Sequence, residues 1–225
     1  MGVHDGHRER MRKRFLDYGI DNFDDINVLE MLLYFSKARG DTNLLAHSLL
    51  DSFGSISAVF DAPYEELLKI DGVGESTALL IKFLPQVAKR YLMSKSDFDG
   101  IIDTPDKAGK YLLPKFFAER DEVVFLICLD SKCKVLSCKQ LFKGNVNSAG
   151  ISVRKIVETA LTFNAASVIL SHNHISGIAI PSKEDEMTTR KIGNALNAVD
   201  ITLFDHIVVA NDDFVSMADN GFFRR

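Results

Sequence analysis

Up to about Tyr91 the apolar residues fall at helical intervals. Val28, Leu29, Met31, Leu32 and Leu33 form one set, and Leu44, Leu45, Leu49 and Leu50 another. Each segment therefore offers an apolar stripe to a shared core. The run Asp61-Ala62-Pro63-Tyr64-Glu65-Glu66 joins a capping-type aspartate to early acids and predicts a helix start. Within Ile70 to Ala78, Gly72-Val73-Gly74 places two glycines around one apolar residue, which suits a tight turn between packed helices. A further periodic run leads to Tyr91. Ser94 to Gly100 is polar and punctuated, and predicts a linker.

Beyond it the pattern alternates. Thr104-Pro105 predicts a helix to about Phe117, with proline at the first helical position, where no N–H is needed. Val123 to Leu129 is strand-like, Asp130-Ser131-Lys132 predicts a turn, and Cys133 to Phe142 a returning strand. Gly144 to Gly150 has loop character. Ser152 to Phe163 and Ser182 to Val199 predict helices around a short buried strand, Ser167 to Ser171. Ile201 to Ala210 and Phe214 to Met217 are strands around an Asn-Asp-Asp turn. An α/β fold class is expected, with an all-helical domain over residues 1–98 and a mixed α/β domain over residues 99–225.

Composition adds mostly exclusions. With 225 residues, 46% hydrophobic and 26% charged, the chain is neither disordered nor low in complexity. The net charge is -4, and residues 1–98 carry 12 basic and 15 acidic groups against 15 and 16 in residues 99–225. Bulk charge thus gives no reason to expect tight polyanion binding. The longest apolar run, Val123 to Leu129, is far short of a membrane span, so no membrane contact is expected. Met1 to Arg14 is rich in His and Arg and lacks the apolar stretch of a signal peptide. A cytoplasmic location is expected, with Cys128, Cys133 and Cys138 as reduced thiols.

Chemistry concentrates in one segment. Leu170-Ser171-His172-Asn173-His174 runs off the short strand, and Pro181-Ser182-Lys183-Glu184-Asp185 follows. In extended chain, residues two apart face the same way, so His172 and His174 converge. Asp185 falls in the first turn of the next helix, where a short loop brings it back towards them. Two imidazoles and a carboxylate suit Zn²⁺, and three protein ligands leave a fourth tetrahedral position for water, the mark of a catalytic site. Ser182 and Asp185 also fit a capping box that needs no chemistry. The two roles are compatible, because a carboxylate has two oxygens.

The spacing H-x-H-x(7)-S-x(2)-D, met by His172, His174, Ser182 and Asp185, resembles the JAMM motif of MPN-domain metalloproteases. The surroundings resemble the bacterial RadC family more narrowly. The matching stretches are Gly144-Asn145-Val146-Asn147-Ser148, His172-Asn173-His174 with Ser176-Gly177, Pro181-Ser182, and Asp205-His206-Ile207-Val208-Val209. The Gly72–Gly74 turn resembles the helix-hairpin-helix that precedes the MPN domain in RadC proteins. The chain departs at Ile175 and Val153, where RadC proteins usually carry proline; neither is a ligand position.

This resemblance implies a cytidine-deaminase-like MPN fold for residues 99–225 and one Zn²⁺ per chain, held by His172, His174 and Asp185. It implies a general base eight residues before the aspartate that ends its strand; counting back from Asp130 gives Glu122. Glu119 is the nearest rival but falls in the preceding helix. Without the resemblance, Glu122 reads equally as a solvated acid at a strand start. Ser182 is the implied oxyanion donor. The implied activity is hydrolysis of peptide or isopeptide bonds in a peptide or protein substrate. The residues by themselves support metal-assisted hydrolysis.

The competing class is a DNA-binding accessory protein of repair or recombination, with the metal domain as scaffold or nuclease. Backbone N–H groups at a hairpin such as Gly72-Val73-Gly74 can hold a phosphate. Asp71 and Glu75 flank it, however, and Lys69 and Lys82 are the only cations in the stretch. A structural hairpin, with at most weak DNA contact, is the expectation. His206 is read as a hydrogen-bonded interior histidine in preference to a fourth ligand. His4 and His7 are read as frayed terminus, Arg154 as a solvated helix residue, and the cysteines, lacking C-x-x-C, as no second zinc site.

Overall fold

The computed structural model describes residues 6–95, 100–144 and 152–223. Three expectations fall outside these: the 145–148 stretch, His4, and residues 96–99 of the linker with the boundary at 98. The chain divides into two compact units, Met1–Ala88 and Lys89–Arg225. Among the described residues no helix is long and apolar enough to cross a membrane.

The first unit is helical: α1 His7–Tyr18, α2 Asp25–Leu33, α3 Thr42–Phe53, α4 Ile56–Asp61, α5 Tyr64–Leu67 and the beginning of α6, Glu75–Lys95. Asp24, Asp41 and Ser55 each accept a backbone N–H of the following turn, so α2, α3 and α4 begin at side-chain caps. Their apolar stripes meet in a core of Leu29, Leu33, Leu45, Leu49, Val59, Leu67, Val73 and Ile81. The glycine turn works as its composition suggests. Gly72 takes φ +84°, a conformation that side chains resist, and this turns Val73 inward as part of the core. The helix start expected from Asp61 is different in the structure. Asp61 ends α4, and Pro63 stands at the N-cap of α5 with no side-chain cap bond. Proline, with φ fixed and no N–H to satisfy, starts the turn unaided.

The second unit is built on a five-stranded mixed sheet of order β2-β1-β3-β4-β5, where β1 is Glu122–Leu129, β2 Val135–Gly144, β3 Ser167–Asn173, β4 Thr202–Ala210 and β5 Asp213–Ser216. Only β3 and β4 run parallel, and α9 (Lys183–Asn197) makes the crossover between them. The alternation of β1 assigns the two faces. Val124, Leu126 and Cys128 pack with Val168 and Leu170 of β3 against Ile156 and Ala160 of α8 (Val153–Thr162) and Ile192 and Leu196 of α9. Val123, Ile127 and Leu129 pack with Ile169 against Ala108, Leu112 and Phe116 of α7 (Pro105–Phe116).

Several strand limits differ from expectation by one or two residues, and two of these shifts have a visible cause. β2 begins at Val135 because the Asp130 carboxylate accepts the N–H groups of Lys132 and Lys134, and Cys133 sits at φ +60°. β3 continues through His172 and Asn173. It is flanked on both sides, with His172 opposite Val124 of β1 and Val208 of β4. Neighbours remote in sequence thus hold polar residues in strand geometry.

Gly109 of α7 lies so close to the Phe214 ring that a Cβ would overlap three ring carbons. Gly109→Ala is expected to destabilise the second unit by about 1–3 kcal/mol, as overpacking does. A lowered urea midpoint checks this, and an unchanged midpoint would show that the ring moves aside at no cost.

Candidate metal centre

The extra length of β3 is what places the site. His172 shares the α8–α9 face of the sheet with Val168 and Leu170. His174, just past the strand end, is still tied to the sheet because its N–H donates to the Val209 carbonyl of β4 at 2.8 Å. Asp185 stands in the first turn of α9, locked there by a capping box. Ser182 Oγ accepts the Asp185 N–H at 3.1 Å, and the Ser182 N–H donates to Asp185 Oδ2 at 2.7 Å.

Three ligand-type atoms meet at this point. His172 Nε2 and His174 Nε2 are 2.9 Å apart. Asp185 Oδ1 lies 3.2 Å from the first, and Oδ2 lies 3.3 Å from the second. A tetrahedral ion bound at about 2.0–2.1 Å keeps its ligand atoms roughly 3.3 Å apart, and this donor set stands close to that spacing. Among the described residues it is the one cluster of three or more His, Cys, Asp or Glu side chains close enough to share an ion. Both imidazoles are oriented from behind. His174 Nδ1 contacts the Ile178 carbonyl at 3.2 Å, and because a carbonyl only accepts, the proton there belongs to His174.

Charge in the cluster is strongly coupled. Burial opposes ionisation of Asp185, but hydrogen bonds from His172, His174 and Ser182 outweigh it and hold the carboxyl far below its usual range. His174 is raised above the ordinary histidine value, first by its bond to Asp185, against a burial penalty, with a small contribution from Glu122. Glu122 is the first residue of β1, and the pairing of β1 with β3 starts two residues further on, at Val124 opposite His172.

The other candidates separate clearly. Glu119 is engaged by Lys89 and by Lys143, the latter at 2.8 Å. Despite its burial these bonds lower its pKa. Ser182 donates its hydroxyl proton to Asp185 Oδ2 at 2.6 Å, so in this arrangement it supports the carboxylate. Ser182→Ala is expected to cost α9 about 1 kcal/mol of capping energy. Chemical denaturation reads this, and no change would mean that the capping box contributes nothing. Arg154 pairs with Glu158 on an exposed helix face. His7 is not frayed: it opens α1 and contacts Glu30 at 3.1 Å. The three cysteines are free thiols, and burial pushes Cys128 up to about 11.

His206 is almost fully buried and bonds His172 Nδ1 through Nε2 at 2.9 Å, so it stands behind a ligand position. Burial, together with the charges of His172 and His174, pushes its pKa well down. Thr189, which the sequence reading missed, touches His206 Nδ1 at 2.6 Å. Its signal was its place four residues after Asp185, on the same helix face.

At the Gly72–Gly74 turn both local cations are occupied. Lys69 bonds Glu66, and Lys82 bonds the carbonyls of Phe60 and Ala62. The turn also receives a cation from elsewhere in the sequence, since Lys37 Nζ donates to the Gly72 carbonyl.

Residues 102–222 match the family model described as RadC-like JAB domain. A protein described as a UPF0758 protein, from Idiomarina loihiensis, is 32% identical over 213 residues, which is 95% of this chain and 95% of that one.

Proposed function

Since the chain belongs to the RadC-like JAB domain family, we propose that it is a JAMM-type zinc-dependent hydrolase acting on peptide or isopeptide bonds. The observation that carries this reading is the convergence of His172 Nε2, His174 Nε2 and the Asp185 carboxylate at 2.9–3.3 Å. Two neutral imidazoles and one carboxylate are a donor set suited to Zn²⁺, with a coordination position left over. When bound, such an ion supplies Lewis-acid polarisation and brings the pKa of water near 7.

The chain's own residues do the rest. Glu122, at the start of β1, takes the proton of the attacking water and returns it to the leaving amine. Asp185, His172 and His174 hold their positions through the capping box, the Ile178 carbonyl and His206. Ser182 donates to the developing oxyanion only by giving up its bond to Asp185, so its contribution to rate is smaller than that of the base.

Metal analysis of the full chain, joined to a cleavage screen on peptides, isopeptides and DNA, tests the proposal. About one zinc per chain with amide cleavage is the expected result. A metal-replete protein without zinc would end the metallohydrolase reading. Nanomolar DNA affinity that is lost on changing Gly72 and Gly74 would put the DNA-binding reading ahead. Weak binding with a shallow salt dependence is expected instead, because Lys69 and Lys82 are engaged within the protein.

A further inference from the structure

A buried chain of hydrogen bonds runs from the backbone of Asp185 to the ring of His172. Thr189 Oγ1 lies 2.6 Å from the Asp185 carbonyl and 2.6 Å from His206 Nδ1. His206 Nε2 lies 2.9 Å from His172 Nδ1. Thr189 and His206 are each 1% exposed, so no water competes for these atoms.

The proton count has one favourable solution. Thr189 has a single hydroxyl proton, and the Asp185 carbonyl can only accept. The opposite sense would press two oxygen lone pairs together at 2.6 Å with no proton between them. Thr189 therefore donates to Asp185, and His206 donates to Thr189 from Nδ1–H. A neutral His206 so protonated has a bare Nε2, which accepts from His172 Nδ1–H. In its neutral form His172 then keeps its lone pair on Nε2, the atom that faces His174 and Asp185.

We infer that Thr189 and His206 are positioning residues, a relay that fixes His172 in the Nδ1–H tautomer with its Nε2 lone pair aimed at the metal centre. The role in metal binding rests on the zinc reading above; the tautomer itself does not. The relay also ties two ligand carriers together, since Thr189 bonds the carbonyl of Asp185 on α9 while His206 holds His172 on β3. Such outer hydrogen bonds typically change metal affinity by about 10–100-fold.

The test uses the full chain in three forms: wild type, His206→Leu and His206→Gln, with Thr189→Val as a milder fourth. Glutamine can accept from His172 through Oε1 and donate to Thr189 through its amide, whereas leucine can do neither. Nitrogen-15 NMR of the chelator-stripped protein should show His172 as Nδ1–H in wild type and His206→Gln, and redistributed in His206→Leu. Zinc affinity by chelator competition should fall about 10–100-fold in His206→Leu, less in Thr189→Val, and recover in His206→Gln. If His206→Leu does not fold, Thr189→Val and the wild-type spectrum carry the test. An Nε2–H His172 in wild type overturns the relay, as does unchanged tautomer and affinity in His206→Leu or Thr189→Val. A wild type that binds no zinc yet shows Nδ1–H at His172 would overturn the metal reading while supporting the proton placement.

Discussion

Replacing Asp185 with asparagine is expected to strip the metal while leaving α9 in place. Asparagine keeps an acceptor for the Ser182 N–H, so the helix start stays capped, but it removes the charge that faces both imidazoles. His172→Ala and His174→Ala should lose the metal as well. Structural zinc is worth about 10–16 kcal/mol in small four-ligand sites, so one ligand carries about 2.5–4 kcal/mol, or roughly 10²–10³ in affinity. Chelator competition measures the loss, and circular dichroism checks the helix. Asparagine at 185 with wild-type affinity would mean that the carboxylate serves α9 alone. The pH dependence has a fixed sign. The Asp185 bond raises His174 above the ordinary value of about 6.5. The proton it holds must leave before Nε2 can bind an ion, so affinity is low on the acid side and rises with pH through that raised value.

The fold was legible where periodicity reports burial directly. The unbroken apolar run Val123 to Leu129 read as a strand, and the structure buries both its faces, Val124, Leu126 and Cys128 on one and Val123, Ile127 and Leu129 on the other. What spacing could not give was the far end of β3. His172 and Asn173 are polar, and they are strand only because β1 and β4, both distant in sequence, flank them. Asn173 also accepts the Val123 N–H and donates to the Asp121 carbonyl, pinning the start of β1 beside the site. The helix start expected in the run from Asp61 to Glu66 is there, but the capping role of Asp61 failed for a local reason: a proline two residues on began the turn by its own geometry.

The candidate site was legible to the extent that it is local. His172, His174, Ser182 and Asp185 lie within fourteen positions, and one strand end, one loop and one helix start suffice to bring them together. Thr189 and His206 were harder. Their link to His172 depends on α9 crossing over to β4 and on the parallel β3–β4 register, neither of which a linear pattern encodes. Lys37 beside Gly72 makes the same point in the first unit, where counting cations along the turn missed the one delivered from another helix end.

Glu122→Gln separates binding from catalysis and should have the largest effect on rate. Glutamine matches glutamate in size and keeps one acceptor oxygen, but it cannot take a proton from water. Residue 122 begins β1, where its charge is felt at His174, and lies outside the His172–His174–Asp185 cluster, so zinc content and fold should be unchanged. Loss of a general base is commonly worth about 10²–10⁴ in rate, and hydrolysis of whichever amide substrate the screen identifies should fall by that order in kcat. Glu119→Gln is the control. It weakens a carboxylate that Lys89 and Lys143 already hold, so it should alter stability slightly and leave kcat near wild type. The reverse result, an active Glu122→Gln and a dead Glu119→Gln, would move the base to Glu119, which lies past the end of α7 in the turn before β1 and not in the helix the sequence suggested. Zinc lost from Glu122→Gln would make residue 122 a ligand or a support for one, and the proton would then need another carrier.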